Sequence, residues 1–70
     1  MSLIKLKTLL QTVPENEDVI IMKWHDENGY IELYKGPAWK VPINYADSRI
    51  EGIHTYSGPR RIVYLVIKIM

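Results

Sequence analysis

The chain has no cysteine and no phenylalanine, and its charges nearly cancel. Without cysteine there is no disulfide, no thiolate zinc site and no thiol nucleophile, so the usual staples of a small domain are missing. That matters because 70 residues make one domain, spanning 1–70, near the lower size at which a single hydrophobic core holds itself together. The lack of cysteine fits a cytoplasmic protein, and it makes self-association as a homodimer an alternative source of buried surface. Nine Lys and Arg against eight Asp and Glu leave a net charge of +1, which is no electrostatic footprint for nucleic acid, an anionic membrane or an acidic substrate. No apolar run is long enough to cross a bilayer as a helix. Leu3 to Val13 is broken by Lys5 and Lys7 and lacks a small-residue cleavage site, so it does not read as a signal peptide.

The missing phenylalanine has a counterpart in five Tyr and two Trp: every aromatic ring carries a polar atom suited to half-buried or interfacial positions. What is most abundant locally is β-branched apolar residues in Arg60 to Met70, which follows a Gly-Pro turn and reads as a strand buried on both faces. Ile62, Tyr64, Val66 and Lys68 point one way along it, and Val63, Leu65, Ile67 and Ile69 the other. Such a strand needs two covers.

One cover is a helix. Leu3, Leu6, Leu10 and Val13 fall on one helical stripe with Leu9 beside it; Ser2 or Thr8 serves as N-cap, and Pro14 ends the helix by pushing Val13 out of the helical region. Asp18 to His25 is then a strand with apolar residues on both faces. His25-Asp26-Glu27-Asn28-Gly29 is a hairpin connection, and Tyr30 to Tyr34 is the return strand, with Ile31 and Leu33 on one side and Tyr30, Glu32 and Tyr34 on the other. The stretch Lys35 to Ser48 contains two prolines and no regular pattern. It reads either as an extended segment laying Trp39, Val41, Ile43 and Tyr45 on the sheet as the second cover, or as a helical turn from Pro42 to Asp47. Arg49 to Tyr56 is the third strand, with a β-bulge expected at Gly52, and Ser57-Gly58-Pro59 turns the chain into the last strand. The expected fold is α+β: one N-terminal helix packed on a four-stranded, mostly antiparallel sheet made of two hairpins.

Catalytic patterns are sparse. His25, Asp26, Glu27 and His54 offer imidazole and carboxylate ligands, but their spacing matches no metal-binding pattern. Glu15, Glu17 and Asp18 cluster in a proline-containing turn where a solvated loop is the simpler reading. There is no Gly-x-Ser-x-Gly elbow and no glycine-rich phosphate loop, so no cofactor, no metal and no enzymatic activity is expected. Two binding readings remain. Trp39, the residue type most often found as an interface anchor, lies on the loop with Tyr34 and Tyr45 flanking it and Lys40, Arg60 and Arg61 as a polar rim, which describes a protein-binding surface. The alternative is a nucleic-acid surface in which Lys35, Lys40, Arg49, Arg60 and Arg61 interleave with Tyr34, Trp39, Tyr45 and Tyr56.

Lys5-Leu6-Lys7-Thr8-Leu9-Leu10 running into Val13-Pro14-Glu15-Asn16, then an apolar strand, then Leu33-Tyr34-Lys35-Gly36, a linker containing Trp39, and Val41-Pro42, resembles the small uncharacterised proteins encoded by phages, prophages and integrative elements of Gram-positive bacteria. The resemblance spans most of the chain and brings no catalytic or binding residues with it. It implies a small cytoplasmic protein that binds one host or defence protein and blocks it.

Overall fold

A computed structural model describes residues 4–70. Helix α1 (Leu6–Leu10) is followed by strands β1 (Asp18–His25) and β2 (Gly29–Pro37), two single 3₁₀ turns (Ala38–Lys40 and Ile43–Tyr45), strand β3 (Ile50–Ser57), a third 3₁₀ turn (Pro59–Arg61) and strand β4 (Val63–Ile69). The strands form one sheet in the order β2-β1-β4-β3. Each hairpin, β1–β2 and β3–β4, is antiparallel, and the two are joined by parallel pairing of β1 with β4. The sheet is therefore mixed, with its most apolar strands, β1 and β4, in the centre. No helix among the described residues is long and apolar enough to cross a membrane.

The helix is shorter than its leucine stripe. Lys5 stands at the N-cap without a side-chain cap, Thr8 lies inside the helix, and the Thr12 hydroxyl donates to the Leu9 carbonyl as the chain leaves it; Ser2 and Leu3 lie outside the described residues. Backbone contacts elsewhere compensate for the missing cap: the Leu6 amide donates to Ser48 O at 2.8 Å and the Lys7 amide to Ala46 O at 2.9 Å, so two of the helix's free N–H groups are satisfied by the loop before β3.

The core lies on one face of the sheet. Val19 and Ile21 of β1 and Ile67 and Ile69 of β4 are buried there with Leu6 and Ala38, and Leu9, Leu10, Val13, Val41 and Tyr45 pack around them. The loop that was expected to cover the second face joins α1 on the first instead. The reason is in the backbone: Ala38 N donates to Glu17 O and Trp39 N to Glu15 O, which ties the loop beside the α1–β1 connection.

Two bulges adjust the edges. In β2 the pairing passes from Ile21↔Tyr34 to Met22↔Glu32, so Leu33 is an extra residue. The insertion moves Tyr34 to the core face, the face opposite Glu32, which corrects the strict alternation expected for this strand. In β3 the break lies between Ile50 and Gly52, at the glycine where a bulge was expected. The first hairpin turns through Asp26, Glu27 and Asn28 into Gly29, whose φ of +72° suits a glycine closing a three-residue loop.

Among the described residues no further layer covers the second face. Ile20 and Val66 lie on its floor, only 8% and 3% exposed, because long side chains fold over them. Lys35 of β2 reaches across β1 to set its ammonium 4.9 Å from the Tyr64 ring centroid. Lys68 of β4 reaches the other way to sit 4.3 Å from the Tyr30 ring centroid.

Candidate functional site

The loop between β2 and β3 is built to hold its side chains in fixed directions. Gly36 precedes it at φ +154°, and a Cβ there would meet the Tyr34 hydroxyl at 2.8 Å, so the close approach requires glycine. The Tyr34 hydroxyl donates to Pro37 O at 2.6 Å, closing the corner. From there the amides of Ala38 and Trp39 bond the α1–β1 connection, and the carbonyls of Ala46 and Ser48 receive the helix's amides. Both ends of the loop are thus fastened to neighbouring backbone.

The two 3₁₀ turns sort the loop's apolar residues. Val41 and Tyr45 turn inward and pack against the core. Trp39 and Ile43 turn outward, 61% and 90% exposed, although simple alternation places all four on one side. Ile43 is thereby the most exposed large apolar residue among those described, and sequence alternation missed it because a three-residue turn does not keep a period of two. Between Trp39 and α1 runs a groove of about 280 Å³ whose apolar walls are Leu10, Val13, Trp39, Val41, Pro42 and Ala46, with Lys7, Gln11 and Glu15 as its polar members.

The other residues expected at the site are placed as follows. Lys40 sets its ammonium 4.9 Å from the Trp39 ring centroid and so occupies one side of the indole. Tyr34 and Tyr45 are half-buried against the core and buttress the loop from beneath. Burial, and then the negative charge of Asp18, push the Tyr34 phenol above its ordinary value of 10.0. Arg60 and Arg61 stand in the β3–β4 turn. In the strand order that turn lies two interstrand spacings from the end of β2, and neither arginine lines the groove beside Trp39.

Near the loop's far end the exposed Asp47 carboxylate meets Lys7 at 3.1 Å and Lys5 at 3.9 Å. The hydrogen bond and charge of Lys7, with the charge of Lys5, hold the Asp47 carboxyl below its ordinary 3.8. The cationic and aromatic residues of the nucleic-acid reading are divided: Lys35 and Tyr56 stand on the open sheet face, Trp39 and Lys40 on the loop, Arg60 and Arg61 in the turn. The open face has its own aromatic set, Trp24 edge-on to Tyr30 at 5.2 Å and Tyr56 stacked with Tyr64 at 6.3 Å. Among the described residues no three His, Cys, Asp or Glu side chains are grouped to hold a metal ion.

Comparison of the chain with protein-family models, with curated proteins and with solved structures finds no match.

Proposed function

We propose that this protein is a non-catalytic interaction module that grips a protein partner at the Trp39 groove. The observation that carries the reading is a contradiction in ordinary burial rules: Trp39 and Ile43 face solvent on a loop whose backbone is fastened at both ends. A rigid, exposed indole beside an apolar groove loses little conformational freedom on binding, and Trp is the side chain most often found at energetic centres of interfaces. A groove of this size takes one or two side chains of a partner. Lys7, Glu15 and Lys40 supply the polar surroundings. The resemblance to mobile-element proteins agrees with a cytoplasmic role in which the partner is a host or defence protein.

The test is a nuclease-treated pull-down from a bacterial lysate with the wild type beside Trp39→Ala and Ile43→Ser. A protein band retained by the wild type and weakened about thirtyfold or more by Trp39→Ala, while both variants keep the wild-type unfolding free energy within about 2 kcal/mol, supports the reading. Equal retention by all three sinks it.

A second reading rests on the open sheet face, where Tyr56 and Tyr64 stack and Lys35 and Lys68 bring two ammonium groups. Aromatic rings and cations on a bare sheet suit single-stranded nucleic acid. Recovery of nucleic acid from untreated lysate, lost steeply with added salt and insensitive to Trp39→Ala, favours this alternative.

A further inference from the structure

The two edges of the sheet are unlike each other. At the β2 edge the backbone row is interrupted by the Leu33 bulge and ends at Pro37, which has no amide to donate. At the β3 edge no such device follows the bulge at Glu51–Gly52. Gly52 to Ser57 runs in unbroken register with β4 and contains no proline and no lysine.

The hydrogen-bond phase of β3 after the bulge is fixed by a bond just beyond its C-terminal end. Gly58 N donates to Ile62 O at 2.8 Å; with the pairs Tyr56↔Tyr64 and His54↔Val66 this directs the amides and carbonyls of Tyr56 and His54 toward β4. The backbone groups of Ile53, Thr55 and Ser57 therefore point away from the sheet, and no described residue pairs with them. On the other side of the bulge the outward amide of Ile50 is taken: it donates to Ile4 O at 2.9 Å, and Lys5 forms an antiparallel bridge with Arg49. This edge already holds one antiparallel segment of backbone, and no described residue occupies its remaining length.

We propose that the free part of the β3 edge pairs antiparallel with the same edge of a second copy of this chain, with Thr55 opposite Thr55. That register joins Ile53 to the partner's Ser57, Thr55 to the partner's Thr55 and Ser57 to the partner's Ile53. It satisfies all three outward residues of each copy with about six backbone hydrogen bonds, two per pair. Shifting the register by two residues leaves one outward pair without a counterpart. On the open face it sets His54 beside Tyr56 of the partner subunit, and on the core face the 47% exposed Ile53 beside the partner's Ser57. The operation is a two-fold axis, so the assembly closes at a dimer, and the protected β2 edges end the resulting eight-stranded sheet. An edge contact this short falls below the ~1,200 Å² of a permanent interface, so the dimer forms and dissociates with concentration. The inference rests on β3 and is independent of the Trp39 groove.

Sedimentation velocity across a concentration series, with amide hydrogen exchange by NMR at the two extremes, tests it on the intact chain. Thr55→Pro removes an outward amide and leaves the β3–β4 ladder untouched; Thr55→Lys places a charge at the centre of the contact. The expected result is a monomer–dimer equilibrium whose dissociation constant rises tenfold or more in either variant and is unchanged in Trp39→Ala. In the wild type the amides of Ile53, Thr55 and Ser57 gain protection at high concentration, while those of His54 and Tyr56 are protected throughout. A monomer up to about 1 mM overturns the proposal, as does a dimer that both Thr55 variants leave intact. Should Thr55→Pro lose its fold, the lysine variant and the period-two exchange pattern decide.

Discussion

Ile20 and Ile21 are adjacent in β1, nearly equally buried and chemically identical, yet the structure gives them different weights. Ile21 is fully buried in the core beneath α1 and the loop, whereas Ile20, 8% exposed, lies on the open face with Lys35 and Val66 as its cross-strand neighbours. Truncation to alanine removes three carbons in each case, a loss of about 2.4 kcal/mol at ~0.8 kcal/mol per methylene. At Ile21 rigid backbone and packed side chains surround the space left behind; ~80 Å³ of cavity adds about 2 kcal/mol at ~24 cal/mol per Å³, for a total near 4 kcal/mol. At Ile20 the cover is the flexible stem of Lys35, the Tyr64 ring beneath its ammonium, and Met22, which can settle into the gap. The cavity contribution there is small, and the expected cost is about 2–2.5 kcal/mol. Urea unfolding with midpoints compared at constant m-value measures both. Because a domain of this size has only about 4–10 kcal/mol of stability, Ile20→Val and Ile21→Val serve as the gentler pair, with costs kept in the same order within roughly 0.5–1.5 kcal/mol. Equal losses at the two positions refute the single-layer account, since they require a rigid cover on both faces.

Two further outcomes follow from local geometry. Arg60 and Arg61 are consecutive non-glycine residues at φ 63° and 61°, so Arg60→Gly and Arg61→Gly are each expected to raise thermal stability, by about 0.5–1 kcal/mol; a fall in melting temperature for both contradicts strain in this turn. Lys7 and Lys5 hold the Asp47 carboxyl below its ordinary 3.8, and a group whose pKa is depressed on folding contributes stability that is present above its unfolded value and lost as pH falls through the folded one. Stability measured from pH 5 downward should therefore fall less steeply in Asp47→Asn than in the wild type, and an unchanged slope removes Asp47 from the acid response.

Much of the fold is legible in the sequence because its signals are local. Alternation in β4 and the turn at Asn28-Gly29 each act within a few residues, and the structure places those elements accordingly, whereas α1 ends at Leu10, before Pro14 is reached. Parallel pairing of β1 with β4 is not local: Val19 meets Leu65, and nothing in either strand states its partner. The Leu33 bulge has no glycine or proline to announce it, which is why Tyr34 was expected beside Tyr30 and is found on the opposite face. Around the candidate site, Trp39 was identifiable by residue type alone. Ile43 was not, because its direction depends on a 3₁₀ turn whose following residues, Ala46 and Ser48, are held by backbone bonds from α1, and such bonds carry no side-chain signature. Arg60 and Arg61 were grouped with Trp39 by charge; the structure sets them in the β3–β4 turn, outside the lining of the groove.

The lysines that cross β1 bear on how short such a chain can be. Covering the open face in the usual manner takes a second helix and two connections, on the order of 15–20 residues at typical helix and loop lengths. Lys35 and Lys68 cover it instead with methylene stems, each ending on a tyrosine ring and each keeping its charge within reach of water. Roofing by side chains rather than by backbone is one way in which 70 residues without a disulfide can bury apolar surface on both sides of a four-stranded sheet.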